Sequence, residues 1–79
     1  NIWEAEPAFA RHLHNDRIVA MAAQLMGADT VRVWHDQVQV KPPRIGGPTI
    51  WHQDHPYWPV IQPADLVSAW VALEDATPE

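Results

Sequence analysis

Two side chains with metal-binding chemistry, His52 and Asp54, lie two positions apart in an aromatic, proline-rich stretch, Trp51-His52-Gln53-Asp54-His55-Pro56-Tyr57-Trp58-Pro59. On an extended segment, residues i and i+2 point to the same side, so the imidazole and the carboxylate could bind one ion together. These are ligand types of the two-histidine, one-carboxylate triad that leaves coordination positions open on Fe(II). The spacing alone also fits an aspartate that accepts a hydrogen bond from histidine in a structural loop, so both interpretations remain open at this point.

Composition limits the other classes of function. The chain has 79 residues, a formal net charge of −5, no cysteine and five tryptophans. Without cysteine, a metal site must use nitrogen and oxygen ligands, which suits iron, manganese or zinc. The negative charge argues against nucleic-acid binding through a basic surface, and no apolar run approaches a membrane span. Oligomeric state is left open.

The first 28 residues favour helices. Pro7 suits a first helical turn, and Asn15 or Asp16 can cap a helix from about Asp16 to Met26 that ends at Gly27. Apolar residues recur at helical spacing there and predict one buried face: Ile18, Met21, Ala22, Leu25 and Met26.

Residues 29–79 favour strands. Thr30 to Lys41 is rich in valine, and Leu66 to Leu73 alternates apolar residues on both faces. The stretches between them carry prolines and glycines typical of loops. The chain begins with Asn1 rather than methionine, and it stops directly after the second strand pattern. We therefore expect residues 1–79 to form one incomplete domain, a piece of a longer, mainly β one.

The order of motifs resembles the phytanoyl-CoA dioxygenase family. The similarity rests on Lys41-Pro42-Pro43 after the first strand pattern, on Trp51 to Asp54 followed by Tyr57-Trp58-Pro59, and on the run from Leu66 to Glu79. It covers residues 30–79.

The resemblance implies a non-haem Fe(II)- and 2-oxoglutarate-dependent dioxygenase that hydroxylates a small organic substrate with O2, and releases succinate and carbon dioxide. It implies a partial double-stranded β-helix (jelly roll, cupin-like) with the N-terminal helix packed on it. His52 and Asp54 match two iron ligands, while Trp70 and Gln37 match positions near 2-oxoglutarate. With this chemistry, the cytoplasm is the default compartment.

The family pattern also shows what residues 1–79 do not contain. The third ligand, a distal histidine, and an arginine that binds 2-oxoglutarate are expected beyond Glu79, and His55 is too close along the chain to replace that histidine. Alone, this piece is therefore expected to be inactive. Tyr57 and Trp58 are candidates for the substrate mouth, although aromatic packing is the commoner role for such residues. Two other functions stay open: a cupin-like metal enzyme that does not use 2-oxoglutarate, and a catalytically inactive jelly-roll binding module.

Overall fold

The structure is a computed structural model that describes residues 1–78. Two α-helices lie near the N-terminus, α1 (Pro7–Leu13) and α2 (Asp16–Met26). Single 3-10 turns are formed by Ile2–Glu4, which packs against α1, and by His55–Tyr57. Within the described residues, no helix is both long enough and apolar enough to cross a bilayer.

Helix α2 has the boundaries that its capping residues predict. The Asn15 side chain accepts hydrogen bonds from the backbone N–H groups of Arg17 and Ile18, at 3.1 and 3.3 Å. These bonds satisfy two of the four N-terminal donors that an α-helix leaves unpaired. At the other end, Gly27 adopts a left-handed conformation with φ of 61°, which glycine tolerates without steric cost. The prediction of this helix is confirmed.

The prediction of a mainly β fold, a partial double-stranded β-helix with the N-terminal helix packed on it, is wrong for the described residues. Neither 30–41 nor 66–73 forms a strand, and the only regular element of residues 29–78 is the 3-10 turn His55–Tyr57. The physical reason is pairing: a strand is stabilised by backbone hydrogen bonds to a neighbour. No backbone hydrogen bond of the described residues joins these two segments. Valine-rich composition is a preference for a half-buried pleated surface, and it does not supply a partner strand.

No side chain in the described part of the chain is fully buried, so the predicted buried face of α2 is also wrong. Ile18, Ala22 and Met26 are half-buried, but Met21 and Leu25 are 54% and 74% exposed. The accessible surface is 7547 Å², whereas a compact monomer of this mass exposes about 4,900 Å². The radius of gyration is 14.4 Å, against about 11.6 Å for a compact domain of this length.

A reversal of the chain at residues 42–46 brings two irregular segments together. The backbone N–H of Gly46 donates to the carbonyl of Pro42 at 2.9 Å, and Arg44 adopts φ of 69°. The reversal is spanned by a side-chain hydrogen bond, in which the Lys41 ammonium donates to the Thr49 hydroxyl at 2.6 Å. This arrangement brings residues 37–39 close to residues 48–52, which contain the first predicted metal ligand.

Replacing Asn15 with alanine should lower the helix content, because two N-terminal donors of α2 lose their acceptor. The expected cost is about 1 kcal/mol of helix stability. Far-ultraviolet circular dichroism at 222 nm measures it, and Asn15→Asp is the matched control because aspartate also caps helices. Equal helicity for Asn15→Ala and the unchanged chain would contradict the capping role.

Candidate metal centre

The His52 ring is held by the backbone of its own segment. Its Nδ1 lies 2.8 Å from the carbonyl oxygen of Ile50. A carbonyl oxygen can only accept, so Nδ1 carries the proton, and in a neutral ring Nε2 then presents a bare lone pair. This is the tautomer that a metal-ligating histidine needs when it binds through Nε2.

Asp54 turns one carboxylate oxygen towards that nitrogen. Its Oδ1 lies 3.2 Å from Nε2 of His52, and its Oδ2 accepts a hydrogen bond from the Ser68 hydroxyl. The backbone also helps to place it, because the carbonyl of Asp54 accepts from the N–H of Tyr57 at 2.9 Å and so begins the 3-10 turn. The His52 and Asp54 side chains are 40% and 30% exposed, so the pair is accessible to an ion from solvent.

Two lone pairs that face each other at 3.2 Å repel unless positive charge lies between them. A proton on Nε2 supplies it by making an ion pair, but an accessible pair of this kind contributes only about 0–1 kcal/mol. A metal ion supplies it as well. Bonds from a metal to imidazole nitrogen and carboxylate oxygen are about 2.0–2.2 Å long, so one ion can contact two atoms at this separation. The donor set of nitrogen and oxygen also suits iron. The two residues therefore fit a metal ion.

An open cleft of about 520 Å³ lies beside the pair and contains most of the predicted site residues. Its wall is formed by Gln37, Gln39, Pro48, Thr49, Ile50, His52, Asp54, Tyr57 and Trp58. Tyr57 lies edge-on to the His52 ring, with centroids 6.3 Å apart, and Trp58 packs edge-on against His35 at 4.7 Å. The structure thus brings the proposed ligands, the Gln37 amide and the two substrate-mouth candidates to one surface.

Trp70 is the predicted site residue that the structure does not place there. Its side chain is 79% exposed and it does not line the cleft. His55 does not line the cleft either, and its Nε2 donates to the carbonyl of Ile61 at 3.0 Å. Within residues 1–78, no group of three or more histidine or acidic side chains is arranged to hold a metal ion.

Sequence reasoning missed several residues of this site, among them Ile50, whose carbonyl accepts from His52 Nδ1. Ser68 binds the carboxylate, and Gln39 and Thr49 line the cleft. For Ser68 a signal existed, since it is the one side chain with a hydrogen-bonding group in the apolar run before Trp70. Gln39 lies two positions from Gln37, a spacing that places both side chains on one side of an extended segment.

Comparison with known proteins places the chain in a family. The family model for phytanoyl-CoA dioxygenase matches residues 2–79. The chain belongs to the phytanoyl-CoA dioxygenase family. Searches of curated proteins and of solved structures gave no match. Phytanoyl-CoA dioxygenase membership makes oxygenase chemistry the function at family level, with a small-molecule substrate and O2 as the reactants that fit it.

The match also extends the similarity recognised in residues 30–79. It includes nearly all of the helical segment before Thr30, which carried no motif of its own. Helices α1 and α2 are therefore part of the phytanoyl-CoA dioxygenase match, and not an unrelated extension.

Gly46→Ala should open the chain reversal at residues 42–46. A Cβ at this position would lie 2.9 Å from the Pro42 carbonyl oxygen and 3.0 Å from Lys41 Cβ, so the backbone must shift. We expect loss of nuclear Overhauser contacts between the Lys41 and Thr49 side chains. Gly47→Ala is the matched control, because nothing lies within 4 Å of its Cβ, and these contacts should persist in it. Equal contacts in both variants would contradict the role of Gly46.

Proposed function

We propose that the protein is a non-haem Fe(II)- and 2-oxoglutarate-dependent dioxygenase that hydroxylates a small organic molecule, with succinate and carbon dioxide as co-products. The observation that carries the proposal is the approach of His52 Nε2 and Asp54 Oδ1 to 3.2 Å, with Nδ1 of the same ring bound to a carbonyl. Membership of the phytanoyl-CoA dioxygenase family supports the reaction class.

His52 and Asp54 are the proposed protein ligands of the iron. Bound there, Fe(II) would supply the redox chemistry that couples 2-oxoglutarate decarboxylation to substrate oxidation. The chain's own residues bind and orient. The Ile50 carbonyl keeps the proton on Nδ1 of His52, so that Nε2 stays free to bind the metal, and the Ser68 hydroxyl keeps Asp54 Oδ2 occupied.

The cleft is the proposed binding surface for the organic reactants. The Gln37 carboxamide has both donors and an acceptor at the cleft wall, which suits a carboxylate-bearing cosubstrate. Tyr57 and Trp58 form an aromatic wall beside the metal pair, which suits an apolar part of the substrate. The role proposed for Trp70 rests on the family resemblance alone.

A facial triad needs one more protein ligand than residues 1–78 bring together. We propose that a histidine outside this range supplies it. Turnover is therefore to be tested on the natural full-length chain, while the two ligands described here can be tested by substitution.

Asp54→Ala in the natural full-length chain should reduce succinate formation from 2-oxoglutarate to background, because it removes an iron ligand. The unchanged chain, loaded anaerobically with Fe(II) and then given O2, should form succinate only when 2-oxoglutarate is present. Succinate quantified by mass spectrometry is the measurement. Asp65→Ala is the matched control, since this exposed carboxylate does not line the cleft, and its succinate yield should equal that of the unchanged chain.

Two results would contradict the proposal. Succinate formation that survives Asp54→Ala would remove Asp54 from the iron site. Substrate oxidation by the iron-loaded chain without 2-oxoglutarate would instead indicate a metal enzyme that does not use this cosubstrate.

A further inference from the structure

The Ser68 hydroxyl joins the segment 66–73 to the proposed metal pair through a hydrogen bond. Its Oγ hydrogen-bonds Oδ2 of Asp54, fourteen positions away. An ionised carboxylate can only accept, so the hydroxyl is the donor. Ser68 is the one serine of the sequence and lies in the apolar run from Leu66 to Leu73.

This hydrogen bond makes the two oxygens of Asp54 unequal. Oδ1 faces His52 Nε2 at 3.2 Å, while Oδ2 is occupied by the hydroxyl proton. A free carboxylate can bind a metal through one oxygen or through both, as aspartate and glutamate do in calcium sites. With Oδ2 held by a hydrogen bond, one-oxygen binding is favoured because two-oxygen binding would compete with that bond.

Whether Asp54 binds the metal through one oxygen or two affects how many coordination positions stay open. A facial triad works by leaving coordination positions open for other reactants. A second oxygen from Asp54 would occupy one of these positions. Removing a residue that hydrogen-bonds a ligand and orients it typically lowers metal affinity by about 10- to 100-fold.

We propose that Ser68 is a positioning residue that restricts Asp54 to one-oxygen metal binding and so keeps a coordination position open. The proposal deepens the proposed function and rests on its assignment of His52 and Asp54 as ligands. A purely structural tie between residues 54 and 68 is the competing account. It predicts altered stability on loss of the hydroxyl, with no change in how the carboxylate binds metal.

The test compares metal binding by Ser68→Ala, Ser68→Thr and the unchanged natural full-length chain, with Co²⁺ as the probe. Ser68→Ala removes the donor, whereas Ser68→Thr keeps a hydroxyl at the same position. Thr77→Ala is the control, because it removes an exposed hydroxyl from the same C-terminal stretch that makes no hydrogen bond to Asp54. Affinity is read from the visible absorption of the bound Co²⁺.

A second readout reports the carboxylate directly. Infrared difference spectra of aspartate labelled with ¹³C at its carboxylate separate one-oxygen from two-oxygen binding by the splitting of the carboxylate stretching bands. Asp54→Ala identifies which bands belong to Asp54. This readout needs no turnover and does not depend on the substrate.

In Ser68→Ala we expect Co²⁺ affinity to fall by about 10-fold or more and the Asp54 bands to shift to the two-oxygen pattern. Ser68→Thr and Thr77→Ala should give values near those of the unchanged chain. Unchanged bands in Ser68→Ala would overturn the proposal, whatever the affinity does. So would a Ser68→Thr chain that behaves like Ser68→Ala. If Asp54→Ala binds Co²⁺ as well as the unchanged chain does, the ligand assignment itself fails, and the role of Ser68 fails with it.

Discussion

The site depends on one electrostatic constraint. Nε2 of His52 and Oδ1 of Asp54 are both acceptors in the tautomer that the Ile50 carbonyl selects, and they lie 3.2 Å apart. Such an arrangement needs positive charge between the two atoms. Three local contacts hold the two side chains in this arrangement. A carbonyl binds the His52 ring, a serine hydroxyl binds the second carboxylate oxygen, and a 3-10 turn begins at the aspartate.

These contacts are short in sequence, which explains how a chain with no fully buried side chain in its described part still forms a defined pair. The carbonyl that orients His52 is two residues away, and the serine is fourteen residues from Asp54. Short loops cost little conformational entropy to close. The cleft wall formed by residues 37 and 39 is placed in the same way, through the reversal at residues 42–46.

Whether an interaction is local or distant in sequence explains which structural features could be predicted from the sequence. Helix α2 and its approximate bounds were predictable because Asn15 and Gly27 act on neighbouring backbone groups. The approach of the His52 and Asp54 side chains was predictable from their spacing of two positions. The strands predicted for 30–41 and 66–73 do not form among the described residues. A valine-rich segment has a preference for the extended conformation, but a strand also requires a partner. Ser68 stands out as a hydrogen-bonding side chain in an apolar run, but its partner Asp54 lies fourteen positions away, and no periodic pattern identifies that partner.

The most direct test of the account that one cation lies between His52 Nε2 and Asp54 Oδ1 is ¹H–¹⁵N NMR of the five histidines during addition of diamagnetic Zn²⁺. The spectra report which ring nitrogens carry protons and which bind the metal. The account predicts that His52 keeps its proton on Nδ1 and that its Nε2 resonance moves to a metal-bound shift as Zn²⁺ is added. His12, His14, His35 and His55 should keep their shifts. A His52 ring that stays protonated on both nitrogens and does not respond to Zn²⁺ would contradict the account and leave the pair as an ion pair.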